Sequence, residues 1–364
     1  MARGTIARPG PAGAGPAVRD LTPGGRAFEL VFDPRSAWDF LISAGLGGSP
    51  EADILPEDQR WLAEARASLT DEERAGLDWA FSFTGASAFH GLAAVLVDRP
   101  EARRAADVLE VLRTTEPYEL AVAMLRDSVG SDASDALLVA AVGGDADALA
   151  MVDPLLCEED NEAMRQFLAE PVGAIQRTDM ALSAWLTRFA PIEERLERIG
   201  AADVALRRPE VRSLPPDEAV ERITGGLRYL AEARIRRVFL APSYFARPFN
   251  MSFHGSDWRL LCYPIGDAVL ESDGSTPPAS MVRLFRTLGD PTRLQVLRLL
   301  RDRDWYLTEL AVELQLSKPT MKHHLALLRA AGLATVTMEG GLTYYSLRRE
   351  RLDEGGSELR RYLG

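Results

Sequence analysis

Three helix-start signals fall between Asp290 and Ser317, and few folds can use them at that spacing. In LGDPTRLQVLRLLRD, Asp290 is a good N-cap and Pro291 suits the first helical position, where a missing N–H costs little. Leu294, Leu297 and Leu300 then recur as an apolar stripe. Thr308 can cap a second short helix, TELAVEL, with Ala311 and Leu314 facing inward. Ser317 caps a third, with Pro319 near its first turn, and Gly332 ends it. Two helices joined this tightly read as a helix-turn-helix. LATVTM and LTYYSL are strand-like, and Glu339-Gly340-Gly341 supplies the turn between them, which makes the unit winged. RRERLDEGGSELRRYL is expected to return as a helix, weakened by Gly355 and Gly356.

The third helix holds the chemistry. The chain has 42 Lys plus Arg, yet only two are lysine, Lys318 and Lys322, beside two of the four histidines, His323 and His324. At about 100° per residue, Met321, Leu325 and Leu328 share one core stripe. Pro319, Lys322, His323, Ala326 and Ala330 point away from it, and Lys318 lies at the first turn with the free N–H groups. An outward face that is cationic at its start and small along its length can enter a major groove. Lysine, a compact charge on a flexible stem, suits phosphate tracking. The residues expected to meet DNA are Ser317, Lys318, Pro319, Thr320, Lys322, His323, Ala326, Arg329, Gly340 and Gly341. A solvated helix with incidental lysines is the plainer reading, but caps, wing and charge agree on the other.

Charge separates this unit from the rest. The formal net charge of −12 argues against nucleic acid only if it is uniform. Residues 281–364 carry 14 Lys plus Arg against 10 Asp plus Glu, a net of +4. Residues 1–280 carry 28 against 44, a net of −16. Phosphates attract the first and repel the second.

The chain divides accordingly into a disordered tail at 1–24, a helical effector or dimerisation domain at 25–270, a linker at 271–280 and the winged helix at 281–364. Helical spacing runs through PEDQRWLAEARASLTDEERAGLDWAFSF, EARRAADVLEVLRT, NEAMRQFLAE and DEAVERITGGLRYLAEARI. AFELVFD is strand-like, and RVFLAPS, FNMSFHG and DWRLLCYP read as a small antiparallel sheet. The fold class is therefore mainly α with small β elements. No nucleotide-loop, nucleophile-elbow or zinc-protease motif occurs. Glu158, Glu159 and Asp160 read as a solvated helix start, with a divalent-cation site as the other reading, and His90 and His254 as structural histidines. Trp79, Phe81, Phe83 and Phe89 read as core, with pocket lining as the other reading. Cys157 and Cys262 form no CxxC, so neither a disulfide scaffold nor a thiolate zinc site is expected; no other metal site and no cofactor is expected either. No apolar run suits a membrane span and the N-terminus lacks an apolar signal core, so a cytoplasmic protein is expected.

LGDPTRLQVLRLL together with LSKPTMKHHLALLRAAGLATV resembles the ArsR-type family of transcriptional repressors, over about the last quarter of the chain. The resemblance implies a homodimer, with the helix near Met281–Leu288 and the C-terminal segment at its interface. Soft-metal sensors of the family carry a cysteine pair on the helix occupied here by TELAVEL; this chain has none there, which argues against thiolate sensing. Lys322 stands where the family often has a small hydroxyl residue, so base preference does not carry over. The long N-terminal region is similar to domains fused ahead of such winged helices in bacterial regulators. The resulting expectation is a repressor that binds double-stranded operator DNA as a homodimer. Its acidic N-terminal domain, held away from the DNA, would sense a small-molecule effector or set dimer geometry. The alternative is an enzyme with an appended regulatory DNA-binding domain.

Overall fold

The computed structural model describes residues 28–46, 55–81, 87–129, 133–156, 167–229, 234–270, 277–339 and 342–364. The expected tail at 1–24, most of the linker, Glu158–Asp160, Cys157, Phe83, Gly340 and Gly341 lie outside them, as do the side chains of Phe89 and His90. The chain is mostly α-helical with two small sheets.

Strand β1 (Glu29–Phe32) leads into a helical bundle, which among the described residues comprises α1 (Ser36–Gly45), α2 (Pro56–Ala67), α3 (Asp71–Phe81), α4 (Ser87–Val97), α5 (Ala105–Thr114), α6 (Pro117–Val129), α7 (Asp135–Val142) and α8 (Ala146–Val152). Through them runs α9 (Pro171–Val211), whose 41 residues extend about 60 Å at 1.5 Å per residue. Its inward stripe includes Ala174, Thr178, Leu182, Trp185, Phe189, Leu196 and Val204, spaced for one helix face. Trp185 and Phe189 sit fully buried against α1, where Phe40 meets the Phe189 ring edge-on at 5.3 Å.

The expected antiparallel sheet is a mixed one. Its strands are β1, β3 (Arg237–Ser243), β4 (Met251–His254) and β5 (Trp258–Pro264), in the order β1-β3-β5-β4. β1 and β5 both run parallel to β3, and only β4 pairs antiparallel, with β5. The reason is burial on two sides. Phe239, Ala241, Leu260 and Cys262 face the bundle core, while the alternate residues Val238, Leu240, Leu261 and Tyr263 face a second core. Strands buried this way read as continuous apolar runs, so their direction is not legible from alternation.

That second core reaches the winged helix. DEAVERITGGLRYLAEARI is not one helix: α10 (Pro216–Thr224) stops at Gly225 (φ 71) and Gly226 (φ 122), and β2 (Leu227–Tyr229) follows. β2 joins the sheet of the wing, in the order β2-β7-β8-β6, with β6 (Trp305–Tyr306), β7 (Ala334–Glu339) and β8 (Leu342–Leu347). It pairs parallel with β7, Leu227 opposite Val336 and Arg228 opposite Thr337. A Cβ on Gly226 would lie 2.9 Å from Thr335 Cγ2, so only glycine allows this approach. Val220, Ile223 and Leu227 thereby share one core with Leu284, Val296, Leu310, Met321, Leu325 and Val336.

The winged helix itself comprises α11 (Ala279–Leu288), α12 (Pro291–Leu300), α13 (Leu307–Glu313), α14 (Lys318–Ala330) and α15 (Glu350–Leu363). Leu294 is exposed rather than part of the apolar stripe, which is formed by Val296, Leu297 and Leu300. Gly355 does not break α15; it admits Leu284 of α11, whose Cδ2 would lie 2.2 Å from an added Cβ.

Candidate nucleic-acid interface

Local chemistry positions α14. Asp290 caps α12 by accepting the Arg293 N–H at 3.0 Å, and this bond and the Arg293 charge hold its carboxyl below the usual range. The cap of α13 lies two residues earlier than the expected Thr308: Tyr306, paired in β6, is the N-cap, and its N–H donates to Glu309 at 3.0 Å. Thr308 is then an exposed helical residue. The turn into α14 is a Schellman closure. Gln315 adopts φ 55, its N–H donates to Val312 O at 3.2 Å, and the Leu316 N–H donates to Ala311 O at 2.8 Å. Ser317 then caps α14 through the Thr320 N–H at 3.2 Å, with the two hydroxyls 2.7 Å apart. Gly332 (φ 71) closes the far end in the same way, with Leu333 N–H donating to Leu328 O at 2.9 Å.

Met321, Leu325 and Leu328 are fully buried, so the rotation of α14 is fixed. Ser317, Lys318, Pro319, Thr320, Lys322 and His323 are all exposed. Ala326 is half-buried, which matches a small residue along a groove-facing side. Arg329 is half-buried as well; burial lowers its guanidinium pKa, against a smaller opposing effect of Tyr345. It is therefore less exposed than Lys318 and Lys322. The histidines diverge, their rings 6.1 Å apart and inclined by 60°. His324 turns inward near Asp290 and Arg293, and burial lowers its pKa.

The base of the wing is braced across all four strands. By register, Arg228, Thr337, Tyr344 and Tyr306 form one row on β2, β7, β8 and β6. The rings of Tyr306 and Tyr344 lie 4.2 Å apart with their hydroxyls hydrogen-bonded, and Ser346 donates to Asp304 at 2.6 Å. Gln315 and the Tyr306–Glu309 cap are not among the expected features; a Glu three residues after Tyr306 signals the second, and nothing local signals the first.

In the N-terminal region the buried carboxylates are engaged in structure. Asp33 pairs with Arg35, Asp58 with Arg195 and Glu193 with Arg104. No group of three His, Cys, Asp or Glu side chains suited to a metal ion occurs among the described residues, and no helix among them is long and apolar enough to cross a membrane. Phe81 is core, while Trp79 is half-buried, stacked on Phe167 and covered by Arg177 at 4.5 Å. Trp79, Arg177, Asp179 and Ser183 line an open groove of about 790 Å³ between α3 and α9.

The profile of the bacterial regulatory protein, arsR family, matches residues 290–336. The chain is 37% identical over 81 residues to the HTH-type transcriptional regulator CmtR of Mycobacterium bovis, covering 22% of this chain and 69% of that relative. It is 36% identical over 67 residues to the transcriptional repressor SdpR of Bacillus subtilis, covering 18% of this chain and 74% of the relative. Among solved structures, reduced HlyU from Vibrio cholerae shares 31% identity over 24% of this chain and 92% of its own, with a TM-score of 0.19.

Proposed function

The chain belongs to the arsR family of bacterial regulatory proteins, and from that premise we propose that it is a repressor whose α14 docks in the major groove of operator DNA. It is a DNA-binding transcription regulator. The observation that carries the docking is the exposed first turn of α14, with Lys318 and Lys322 beside the Ser317 cap and the opposite face locked in the core. Repression is the activity named for the B. subtilis relative. Gly340 and Gly341, at the expected wing tip, would follow the phosphate backbone beside the groove.

We read the functional unit as a homodimer working in the cytoplasm. α11 and α15 pack together and leave Phe285, Leu352 and Leu363 exposed, which supports an interface there. The region from β1 to β5 then serves as the regulatory part, sensing a small molecule or setting the spacing of two α14 helices. The groove at Trp79 is of small-molecule size, which supports the first role. The engaged state of Asp33, Asp58 and Glu193 speaks for a regulator over the enzyme alternative.

Sedimentation equilibrium and a gel shift on an operator selected from random duplexes test this reading. Wild type is expected as a dimer that shifts the duplex. Phe285→Asp with Leu352→Asp is expected to give monomers that bind at least tenfold more weakly. A monomeric wild type, or a double variant with unchanged mass and affinity, would overturn the dimer.

A further inference from the structure

Besides the shared core, a run of polar contacts joins the long helix α9 to the recognition helix α14. Asp203, buried on α9, pairs with Arg207 at 3.0 Å and accepts the Gly266 N–H at 2.9 Å. The next residue, Asp267, takes the buried guanidinium of Arg247 on Oδ1 and the backbone N–H of Ser280 on Oδ2, the latter at 2.9 Å. Ser280 is in the first turn of α11. Three residues on, Arg283 Nε donates to the carbonyl of Ala330, the last residue of α14, at 2.9 Å.

We propose that this run is the route by which the N-terminal region sets the pose of the recognition helix, with the Gly266–Asp267 turn as the coupling point. The proposal rests on reading α14 as the DNA-contacting helix. α11 has Pro278 at its N-cap and no acid in its first turn, so it lacks a side-chain cap of its own. Asp267 supplies that cap from the other part of the protein, with the charge a helix N-terminus favours. Burial would raise its carboxyl, but Arg247 and Ser280 outweigh it and hold the group below the usual carboxylate range. The same turn is held by α9, which packs against α1, α3, α5 and α6. Gly266 sits so close that an added Cβ would lie 3.0 Å from Arg207 Nη2. A rearrangement of the bundle that shifts the C-terminal part of α9 therefore moves the cap of α11. Through Arg283, α11 in turn bears on the end of α14. Contiguous contacts of this kind, present here at each step, are able to carry such coupling.

The test is a double-mutant cycle in the full chain, with operator affinity read by fluorescence anisotropy. Asp267→Ala and Arg283→Gln are each expected to weaken binding about threefold to tenfold. If both act along one route, the combined variant binds within about twofold of the weaker single variant. Losses that multiply would overturn the proposal. If Asp267→Ala fails to fold, Asp267→Asn, which keeps the shape and removes the charge, repeats the cycle. Hydrogen exchange on the free protein reads the cap without DNA. In the Asp267 variant the Ser280 and Met281 amides are expected to exchange about fivefold faster, with α1 to α5 unchanged. Equal change in both places would reduce Asp267 to general stability and overturn its positioning role. Failure of Lys318→Ala and Lys322→Ala to weaken binding would instead count against the docking of α14.

Discussion

Replacing Lys318 and Lys322 together by alanine gives a measurement whose size follows from their placement. Both are exposed at the start of α14, and neither forms an ion pair among the described residues. Each is therefore free to displace counterions from a phosphate, which contributes about 0.9 to the slope of log affinity against log salt. Losing two such contacts flattens the slope by about 1.8 for one engaged α14, or about 3.6 for the two of a homodimer. Raising salt fourfold, from about 50 to about 200 mM, divides the affinity ratio of wild type to variant by 4 raised to that difference. The ratio should shrink about 12-fold for one reader and about 150-fold for two. Fluorescence anisotropy on the selected operator, titrated at four salt concentrations, separates these values. Parallel lines for wild type and variant would refute phosphate contact by both lysines, and with it the docking of the first turn.

Three further substitutions probe the scaffold. Gly226→Val forces a Cβ branch against Thr335 at φ 122 and should cost about 2–4 kcal/mol in urea denaturation; an unchanged midpoint would contradict the required close approach. Gln315→Gly relieves a non-glycine left-handed residue and should stabilise by about 0.5–1 kcal/mol, seen as a higher Tm; a lower Tm would show that the Gln315 side chain outweighs the strain. Asp290→Ala should cost about 1 kcal/mol at pH 7 through the lost cap. Because the folded-state pKa of Asp290 is lowered, its contribution is present above the unfolded-state value and fades as pH falls through the folded one, so the Tm gap should narrow by pH 3; a constant gap would assign the cost to something other than the carboxylate.

What could be read from the sequence was what is decided within a few residues. Asp290-Pro291, Ser317 and Gly332 announce α12 and α14, and the spacing of Met321, Leu325 and Leu328 gives the buried face of α14. The same rotation leaves Ser317, Lys318, Lys322 and His323 exposed, so the exposure of the candidate contact residues was legible. Leu294 misled because the same helix offers Val296 as an inward residue, and tertiary packing chose it. The remainder depends on partners far apart in the chain. β1 lies beside β3 across about two hundred residues, and no local pattern records a parallel neighbour at that distance. Gly225-Gly226 could have divided helix from strand, but the helical spacing of the flanking residues continues through it. Asp267 was invisible as a cap because the helix it serves begins 12 residues later, at Ala279.

The alternation in β3 and β5 also bears on how such a chain can change over generations. Phe239, Ala241, Leu260 and Cys262 answer to one neighbour and Val238, Leu240, Leu261 and Tyr263 to another, so the strands hold two interleaved sets of positions with separate constraints. Substitutions in the first set can follow a drifting bundle while the surface offered to the winged helix stays constant. Insertions have no such latitude. One extra residue between β2 and β3 that slid β3 along its neighbours would exchange the two sets at every position. Lineages of this architecture should therefore show many replacements within β3 and length changes confined to segments that leave its frame untouched.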